Sequence, residues 1–338
     1  MESTTKRHLD RQQISLLLAP VLDDTTHLGA CDELTEGMFN AVYDLRLEPS
    51  GQRMILKVSP PAGAALLTYE RDIMRTEASF YELTSTAEGV PTPRVVFTDF
   101  SRSSLDGDLL VTSYLPGTGW HRLHENLDRG DTARLRYDLG RIVARTHQIT
   151  GSHFGYFQDG TAQASTWRDA FFTMLDDLFV DAERFSVDLP VKAATITQEL
   201  ERCAHLLDAV TVPSLAHFDL WEGNILLADR DGRYEISGLI DGERAMWADP
   251  VADFASLAIF GDIARDSDFL DGYGSFIGQR YVVTPEIAVR IAMYKLYLDL
   301  IIVIEAAPRG YDAASRAEVL NLAIDDLHRS LGTVRSYS

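Results

Sequence analysis

The chain has 338 residues, of which 31 are basic and 51 are acidic, giving a formal net charge of −20. Hydrophobic residues make up 46% and charged residues 24%, a balance typical of a globular protein long enough for two lobes with separate cores. The strong negative charge disfavours nucleic acid and anionic lipid as partners, and it favours either a cationic ligand or simply solubility.

Neither a signal peptide nor a membrane span is predicted. The first residues, MESTTKRHLDRQQ, are polar and contain no apolar run. The most apolar late stretch, residues 296–307, is short and carries Asp299 and Glu305, so we expect a buried helix there. Cys31 and Cys203 lie far apart, without the spacing of metal ligands, as in proteins of a reducing cytosol. We therefore expect a cytoplasmic protein.

The first predicted element is a β-hairpin over residues 38–59, with its turn at Pro49-Ser50-Gly51. Apolar and polar residues alternate on both sides of the turn, which is the period that half-buried strands need. Lys57 falls on the face opposite the apolar residues of its strand. Those apolar residues are Tyr43, Leu45 and Leu47 before the turn and Met54, Leu56 and Val58 after it.

The elements that follow predict an α+β fold. A helix over residues 67–86 carries Glu77 in the middle of its apolar face. Extended segments at PRVVF and DLLVTSY come next, and the second ends at Leu115-Pro116-Gly117. We expect a small β-rich N-terminal lobe, residues 1–115, and a larger, mainly helical C-terminal lobe, residues 116–338. In the second lobe we expect helices near residues 135–149, 166–185, 191–209 and 287–306, and β-strands at residues 224–227 and 234–240.

Residues that indicate chemistry are concentrated in two segments, HFDLWEGN at 217–224 and LIDGERAMWADPVADF at 239–254. Phosphoryl transfer needs a group that positions the attacking hydroxyl, and Mg²⁺ prefers hard oxygen ligands. Asp219, Asn224 and Asp241 offer a carboxylate base, an amide oxygen and a second carboxylate. Asp219 and Asn224 share one loop before a strand and Asp241 follows the next strand, so a hairpin can bring the three together.

These segments resemble the aminoglycoside phosphotransferase and choline kinase-like family, whose members have a two-lobe, protein-kinase-like fold. The H-x-D-x-x-x-x-N loop and the I-D…D-P-x-x-D segment carry the resemblance, and EGMFNAVYDL…ILK, TEASFYEL…GVPTPRVV and LLVTSYLPG extend it upstream. It covers residues 34–254. It implies transfer of the γ-phosphate of ATP, with GTP as an alternative, to a hydroxyl of a small molecule, with Mg²⁺ as the metal. No G-x-x-x-x-G-K-[ST] occurs, which excludes a P-loop.

The resemblance implies a role for each residue of the site. Asp219 would be the catalytic base, and His217 would brace the catalytic loop. Asn224 and Asp241 would bind Mg²⁺. Lys57 would contact the nucleotide phosphates, held by an ion pair with a carboxylate of the following helix.

Two glutamates are candidates for that carboxylate. Glu77 is preferred, because a carboxylate within an apolar helix face needs a cation to be tolerated there. Glu70 stays open as the alternative, because it lies two turns earlier on a similar face.

Nucleotide contacts are expected at two more places. The loop Glu36-Gly37-Met38-Phe39-Asn40 stands where protein kinases carry G-x-G-x-x-G, and Gly37 and Asn40 would lie at the phosphates. Its single glycine favours the small-molecule kinases. The segment from Ser113 to Leu115 would be the hinge, with the backbone of Ser113 and Leu115 bonded to adenine. Asp249 and Asp253 would be structural caps and braces behind Asp241.

The acceptor is predicted only as a class. The family resemblance and the acidic charge favour a cationic antibiotic such as an aminoglycoside, with antibiotic resistance as the role. A metabolite kinase for a fructosamine, choline, homoserine or a sugar is the alternative, and HFDLWEGN is similar to the fructosamine kinase loop. A non-catalytic pseudokinase is disfavoured because the four catalytic residue types are present. A protein kinase is disfavoured because nothing between Asp241 and Asp249 resembles an activation segment. Monomer and dimer both stay open.

Overall fold

The computed structural model describes residues 6–35, 37, 39–158, 161, 163–310 and 313–337. Its first part is a five-stranded antiparallel sheet with the strand order β1-β2-β3-β5-β4. The helices α1 and α2 accompany this sheet, and the predicted division into a β-rich first part and a helical second part is confirmed. The elements are α1 (Arg11–Leu18), β1 (His27–Leu34), β2 (Ala41–Glu48), β3 (Arg53–Val58), α2 (Ile73–Ser85), β4 (Val95–Asp99) and β5 (Leu109–Ser113).

The predicted hairpin forms from β2 and β3. Tyr43 is opposite Leu56 and Leu45 is opposite Met54, so the apolar residues of both strands share one buried face. Helix α1 contributes Ile14 to the same core. Burial of each large apolar side chain contributes about 1.5–3 kcal/mol to stability. A shift of the strands by one residue would expose these side chains, so their burial fixes the register and leaves Lys57 on the other face. Strand β1 was not predicted, because its burial does not alternate and its pairing with β2 contains an irregularity.

Helix α2 begins at Ile73, so the predicted start at residue 67 is wrong. Thr68–Glu70 form a separate 3₁₀ turn, and Asp72 has a left-handed backbone with φ of 56°. A left-handed residue cannot continue a right-handed helix. As a result, Glu70 and Glu77 lie on different elements and point to different parts of the site.

The second part is built from helices around a buried core and two small sheets. The helices predicted near 135–149, 166–185 and 287–306 are confirmed as α3, α4 and α8, whereas the one predicted at 191–209 is α5 followed by a 3₁₀ helix over Ala204–Ala209. Within the described ranges, no helix is long and apolar enough to cross a membrane. The helices are α3 (Arg129–Thr146), α4 (Trp167–Arg184), α5 (Ala193–Arg202), α6 (Asp253–Leu257), α7 (Ser267–Ile277), α8 (Pro285–Glu305) and α9 (Ala313–Ser336).

The two small sheets carry the loops that matter for chemistry. One has the order β11-β10-β6, and the other has the order β8-β7-β12-β9. The predicted strands at 224–227 and 234–240 are confirmed as β10 and β11, whereas the two- and three-residue strands were not predicted. The strands are β6 (Thr118–Gly119), β7 (Phe154–Tyr156), β8 (Gln163–Ala164), β9 (Ser214–Ala216), β10 (Ile225–Arg230), β11 (Arg233–Leu239) and β12 (Met246–Ala248).

The junction of the two parts positions the site. The first sheet ends with β5 at Ser113, and β6 pairs with β10 of the second part, so the change of sheet occurs across the predicted break at Pro116-Gly117. Helix α2 packs against the turn that follows β11. Strand β3 and α2 therefore meet the β9–β10 loop and the turn after β11 in one place.

Candidate active site

The loop between β9 and β10 carries Asp219 and is held by His217. Phe218 has a left-handed backbone with φ of 59°, which turns the chain sharply between these two residues. His217 Nε2 donates to the carbonyl oxygen of Ile240 at 3.0 Å, and its Nδ1 accepts from the backbone amide of Asp219 at 3.3 Å. Because a carbonyl oxygen only accepts and a backbone amide only donates, Nε2 is the donor of the ring and Nδ1 is its acceptor. His217 thus ties the loop to the end of β11.

Asp253 supports the same loop from behind. Its Oδ1 accepts from the backbone amide of Phe218 at 2.6 Å, and its Oδ2 lies 2.9 Å from Nε2 of His147. The carboxylate is fully buried. These bonds hold the strained backbone of Phe218 in place, because a buried carboxylate with two donors is strongly fixed. Asp249 makes similar bonds to Arg290 and Tyr294.

The carboxylate of Asp219 lies between an amide and a guanidinium. Asn224 Nδ2 donates to the carbonyl oxygen of Asp219 at 2.8 Å and to its Oδ2 at 3.1 Å. Arg244 Nη1 lies 3.6 Å from Oδ1. Burial raises the pKa of Asp219, and Arg244 opposes part of that rise. A fixed carboxylate whose pKa is raised is suited to accept the proton of a hydroxyl.

The β10–β11 hairpin brings Asn224 next to the turn that carries Asp241. The backbone amide of Ile240 donates to the carbonyl oxygen of Asn224 at 3.0 Å. Because the side-chain nitrogen of Asn224 is used by Asp219, its side-chain oxygen is the atom left for a metal. Asp241 has a left-handed backbone with φ of 66°. Gly242 follows it, and a Cβ there would lie 2.4 Å from the ring of Phe80, so only glycine fits this approach.

Lys57 and Asp241 belong to a closed ring of hydrogen bonds. Lys57 Nζ lies 2.6 Å from Glu77 Oε1 and 2.7 Å from Asp241 Oδ1. Tyr81, one turn after Glu77 on α2, donates to the same Glu77 oxygen at 2.6 Å. Its hydroxyl accepts from the backbone amide of Asp241 at 3.0 Å. The ring joins β3, α2 and the turn after β11.

The charges in this ring stabilise one another. Burial alone would lower the pKa of Lys57, but Asp241 and Glu77 raise it well above the ordinary value. Burial would raise the pKa of Asp241, but the attraction of Lys57 is stronger and the pKa is lowered. Lys57 therefore stays a cation and Asp241 stays an anion, as phosphate and metal binding require.

Glu243 is a further acidic residue at this turn that the sequence analysis missed. Carboxylate oxygens of Glu77, Asp241 and Glu243 all lie within 4.8 Å of one another. Asn40 Nδ2 donates to Glu243 Oε2 at 2.9 Å, which connects the β1–β2 loop to the turn. Burial and the charge of Asp241 raise the pKa of Glu243 well above its ordinary value. In the sequence, only the position of Glu243 two residues after Asp241 indicated a role in the site, and that position does not show which way the side chain points.

Glu70 lies in a second buried network. It forms an ion pair with Arg309, whose Nη2 also lies 3.0 Å from Glu305 Oε2. Arg244 Nη2 lies 3.1 Å from the same Glu305 oxygen. Of the two glutamates proposed for Lys57, Glu77 makes the contact. Glu70 instead starts a chain of charges that leads through Arg309, Glu305 and Arg244 to Asp219.

With this geometry established, the comparison with known proteins identifies the family. Residues 31–285 match the model of the phosphotransferase enzyme family. The chain belongs to this family. The family and the enzyme class predicted from the sequence, a phosphotransferase that acts on a small molecule, are thereby confirmed.

Two relatives and two solved structures are similar to this chain. A probable ketoamine kinase of Lactiplantibacillus plantarum is 28% identical over 61% of this chain and 67% of the relative. The probable ketoamine kinase YniA of Escherichia coli K12 is 26% identical over 78% of this chain and 84% of the relative. A thermostable mutant of aminoglycoside phosphotransferase APH(4)-Ia, in a ternary complex with AMP-PNP and hygromycin B, has a TM-score of 0.61 at 18% identity, and the match covers 95% of this chain and 98% of that chain. The gentamicin complex of APH(2″)-IIa has a TM-score of 0.61 at 16% identity, with coverage of 97% and 99%. The two solved structures confirm the protein-kinase-like fold.

The other residues predicted to contact the nucleotide differ in their burial and in their hydrogen bonds. Gly37 is exposed, Asn40 is buried against Glu243, and Glu36 and Met38 lie outside the described residues. The backbone amide of Ser113 donates to the carbonyl oxygen of Arg94 at 2.9 Å. Ser113 therefore uses its amide within the sheet, and its carbonyl oxygen and the backbone of Leu115, which is half-buried beside Gly238, stay the candidates for the hinge.

A cavity of about 470 Å³ lies next to Glu70. Its walls include Pro60, Leu66, Glu70, Arg184 and Phe185. None of the three residues proposed for catalysis and metal binding lines it. The cavity therefore adjoins the network around Glu70 and is separate from Asp219, Asn224 and Asp241.

Proposed function

We propose that this phosphotransferase moves the γ-phosphate of ATP to a hydroxyl of a ketoamine, a sugar derivative that carries an amine. The observation that carries the proposal is the position of Asp219. Its carboxylate is fixed by Asn224 and Arg244, in a loop that adjoins the ring formed by Lys57, Glu77 and Asp241. Base, phosphate-binding cation and metal ligands are the parts that phosphoryl transfer requires.

Each residue has a distinct task in this proposal. Asp219 accepts a hydrogen bond from the acceptor hydroxyl, orients its oxygen towards the phosphate and takes up its proton. Lys57 offsets negative charge on the phosphates, and Glu77 holds it in position. Asn224 and Asp241 offer hard oxygen ligands of the kind that Mg²⁺ prefers, next to carboxylate oxygens of Glu77 and Glu243. Bound Mg²⁺ supplies charge neutralisation at the phosphate oxygens.

The acceptor is proposed from the relatives and the charge. The two relatives described above are both probable ketoamine kinases, and one of them matches 78% of the chain. Ketoamines were the alternative in the sequence analysis. Aminoglycosides remain the second candidate, because a net charge of −20 favours a substrate with several amines.

A panel of acceptors tests the proposal. ADP release is measured with Mg-ATP and with Mg-GTP in the presence of fructosyl-lysine, hygromycin B, gentamicin, choline or homoserine. We expect turnover stimulated by fructosyl-lysine, with the phosphorylated hydroxyl located by phosphorus NMR. Stimulation by an aminoglycoside alone would select the second candidate. Absence of phosphoryl transfer to every acceptor would contradict the proposed function.

A further inference from the structure

The cavity next to Glu70 lies between the two lobes. On one side its wall is the connection between β3 and α2, and on the other side it includes Arg184 and Phe185, where α4 ends. Its volume of about 470 Å³ falls in the range of small-molecule binding sites, about 300–1,000 Å³. The cavity is therefore large enough for a small organic molecule that contacts both lobes at once.

Hydrogen bonds hold the two sides of this cavity together. The backbone amide and the hydroxyl of Thr68 donate to the carboxylate of Asp181 at 2.6 and 2.8 Å. Arg184 donates to the carbonyl oxygen of Leu66. Asp181 is fully buried, so its bonds are shielded from water. A ligand would therefore enter a preformed site, which spares much of the cost of ordering the walls.

Part of the wall is apolar and incompletely covered. Pro61, Leu66 and Phe185 line the cavity, and each of them is half-buried. Hydrocarbon placed against these side chains would be removed from water together with them, which favours binding in proportion to the apolar area. This part of the wall therefore suits a ligand with a ring or a short chain of carbon atoms.

A second part of the wall is charged and carries one positive charge in excess. Asp72 forms ion pairs with Arg75 and Arg102. Asp108 forms ion pairs with the same two arginines. Arg71, which also lines the cavity, makes neither a hydrogen bond nor an ion pair within the described ranges. Three guanidinium groups thus stand against two carboxylates, and the unpaired charge is that of Arg71.

The remaining charged residues of the wall have partners. Glu70 uses both carboxylate oxygens, because one accepts from Arg309 and the other accepts from the backbone amide of Leu67 at 2.7 Å. Arg184 forms an ion pair with Asp181. Each carboxylate of the wall is therefore already paired with an arginine, so the cavity suits an anion better than an amine.

The start of α2 adds backbone donors to the same wall. Asp72 is the N-cap residue of this 13-residue helix, and its side chain makes no capping hydrogen bond. Ile73 and Met74 follow it and line the cavity, and their amides donate to no acceptor in the part of the chain that the structure describes. The amides of a first helical turn point away from the helix and favour an anion. They reinforce the unpaired charge of Arg71.

We propose that this cavity binds a small organic carboxylate, with its charged group at Arg71 and the first amides of α2 and its apolar body against Leu66 and Phe185. A single negative charge matches the single unpaired guanidinium of the wall. Hydrogen bonds from a guanidinium and from backbone amides to a carboxylate are among the stronger ones in proteins. The inference goes beyond the proposed function and does not depend on the identity of the acceptor.

Calorimetric titration of the intact protein with three ligands of similar shape tests the proposal. The probes are 2-naphthoate, the neutral amide 2-naphthamide and the cation 2-naphthylmethylamine. We expect 2-naphthoate to bind about tenfold more tightly than either of the others. Because the net charge of −20 attracts the amine and repels the carboxylate, a preference for the carboxylate requires a specific site.

A pair of variants assigns the binding to this cavity. Arg71→Ala is expected to weaken the binding of 2-naphthoate about tenfold and to leave that of 2-naphthamide unchanged. Arg71 is exposed, so its replacement leaves the core intact. Arg141→Ala is the matched control, because Arg141 is an exposed arginine of α3 outside the cavity. Its affinity for 2-naphthoate is expected to equal that of the wild type.

Hydrogen exchange provides a readout at the backbone donors. Mass spectrometry follows the peptide that contains Ile73 and Met74, with and without each probe at saturation. Exchange of this peptide is expected to slow with 2-naphthoate, because a bound carboxylate accepts from its amides. The same peptide in Arg71→Ala is expected to show less protection at an equal concentration of the probe.

The outcomes decide the proposal without any measurement of phosphoryl transfer. Absence of 2-naphthoate binding, or equal binding of 2-naphthoate and 2-naphthamide, would overturn the carboxylate site. Binding that Arg71→Ala leaves unchanged, with no slower exchange at Ile73 and Met74, would place the ligand elsewhere and overturn it as well. An equal loss of affinity in Arg141→Ala would reveal a general effect of charge. Each of these results would leave the proposed function standing.

Discussion

Replacement of Lys57 by methionine is expected to destabilise the protein as well as abolish transfer. Lys57 Nζ lies 2.6 Å from Glu77 and 2.7 Å from Asp241, and Glu77 is fully buried. Without the cation, two carboxylates face each other across the site. Breaking a buried ion pair from one side costs about 3–5 kcal/mol. We expect the lower end, about 3 kcal/mol, because Tyr81 still donates to Glu77 and the carboxylate can take up a proton.

The cost of Lys57→Met is expected to depend on pH. Burial already raises the pKa of Glu77, and loss of Lys57 removes the strongest influence that lowers it. The folded variant then binds a proton more tightly than the unfolded chain does. Its stability relative to the wild type therefore improves as the pH falls and worsens as the pH rises through the raised pKa.

Urea unfolding followed by tryptophan fluorescence measures these free energies. Adding Glu77→Gln to Lys57→Met is expected to restore most of the lost stability, because the neutral amide still accepts from Tyr81. Each single substitution is expected to be destabilising, so the two effects are strongly non-additive. A Lys57→Met protein within about 1 kcal/mol of the wild type at neutral pH, or additive effects, would refute the reasoning about this ring.

Three further predictions concern activity. Arg244→Gln removes the charge that lowers the pKa of Asp219. The acid limb of the pH profile of kcat/KM is therefore expected to move to higher pH. An acid limb that does not move would contradict Asp219 as the titrating base. Asp253→Asn removes the charged acceptor of the Phe218 amide. We expect the free energy of unfolding, measured in urea, to fall by about 1–3 kcal/mol and kcat to fall as well. An unchanged kcat would show that the catalytic loop does not need this support. Chelation of divalent metal by EDTA is expected to abolish transfer, with recovery on adding Mg²⁺; transfer in EDTA would contradict metal dependence.

The sequence predicts features that depend on short stretches of chain. Alternation over β2 and β3 predicted the hairpin and the face of Lys57, and the five-residue separation of Asp219 and Asn224 placed both on one loop. Glu77 could be preferred as the partner of Lys57 because an apolar helix face does not tolerate an unpaired carboxylate. Such features can be predicted because residues a few positions apart in the sequence also lie close together in the folded chain.

Features that depend on distant residues could not be predicted. The pair of Glu70 and Arg309 joins positions 239 residues apart, and Asn40 and Glu243 are 203 residues apart. Nothing in the sequence near either residue shows the other. The later start of α2 depends on the left-handed backbone of Asp72, which is an aspartate rather than a glycine and so gives no signal. The amide of Ser113 is used within the sheet because Arg94 lies beside it.

The most direct test of the account is the effect of Asp219→Asn on phosphorylation of fructosyl-lysine with Mg-ATP. The substitution keeps the shape of the side chain and removes its basicity. Asp325→Asn, at an exposed position of α9, is the matched control. We predict that kcat falls by about 10²–10⁴-fold in Asp219→Asn, with nucleotide binding retained and the control unaffected. An Asp219→Asn protein that phosphorylates fructosyl-lysine at a rate close to that of the wild type would contradict the assignment of Asp219 as the base.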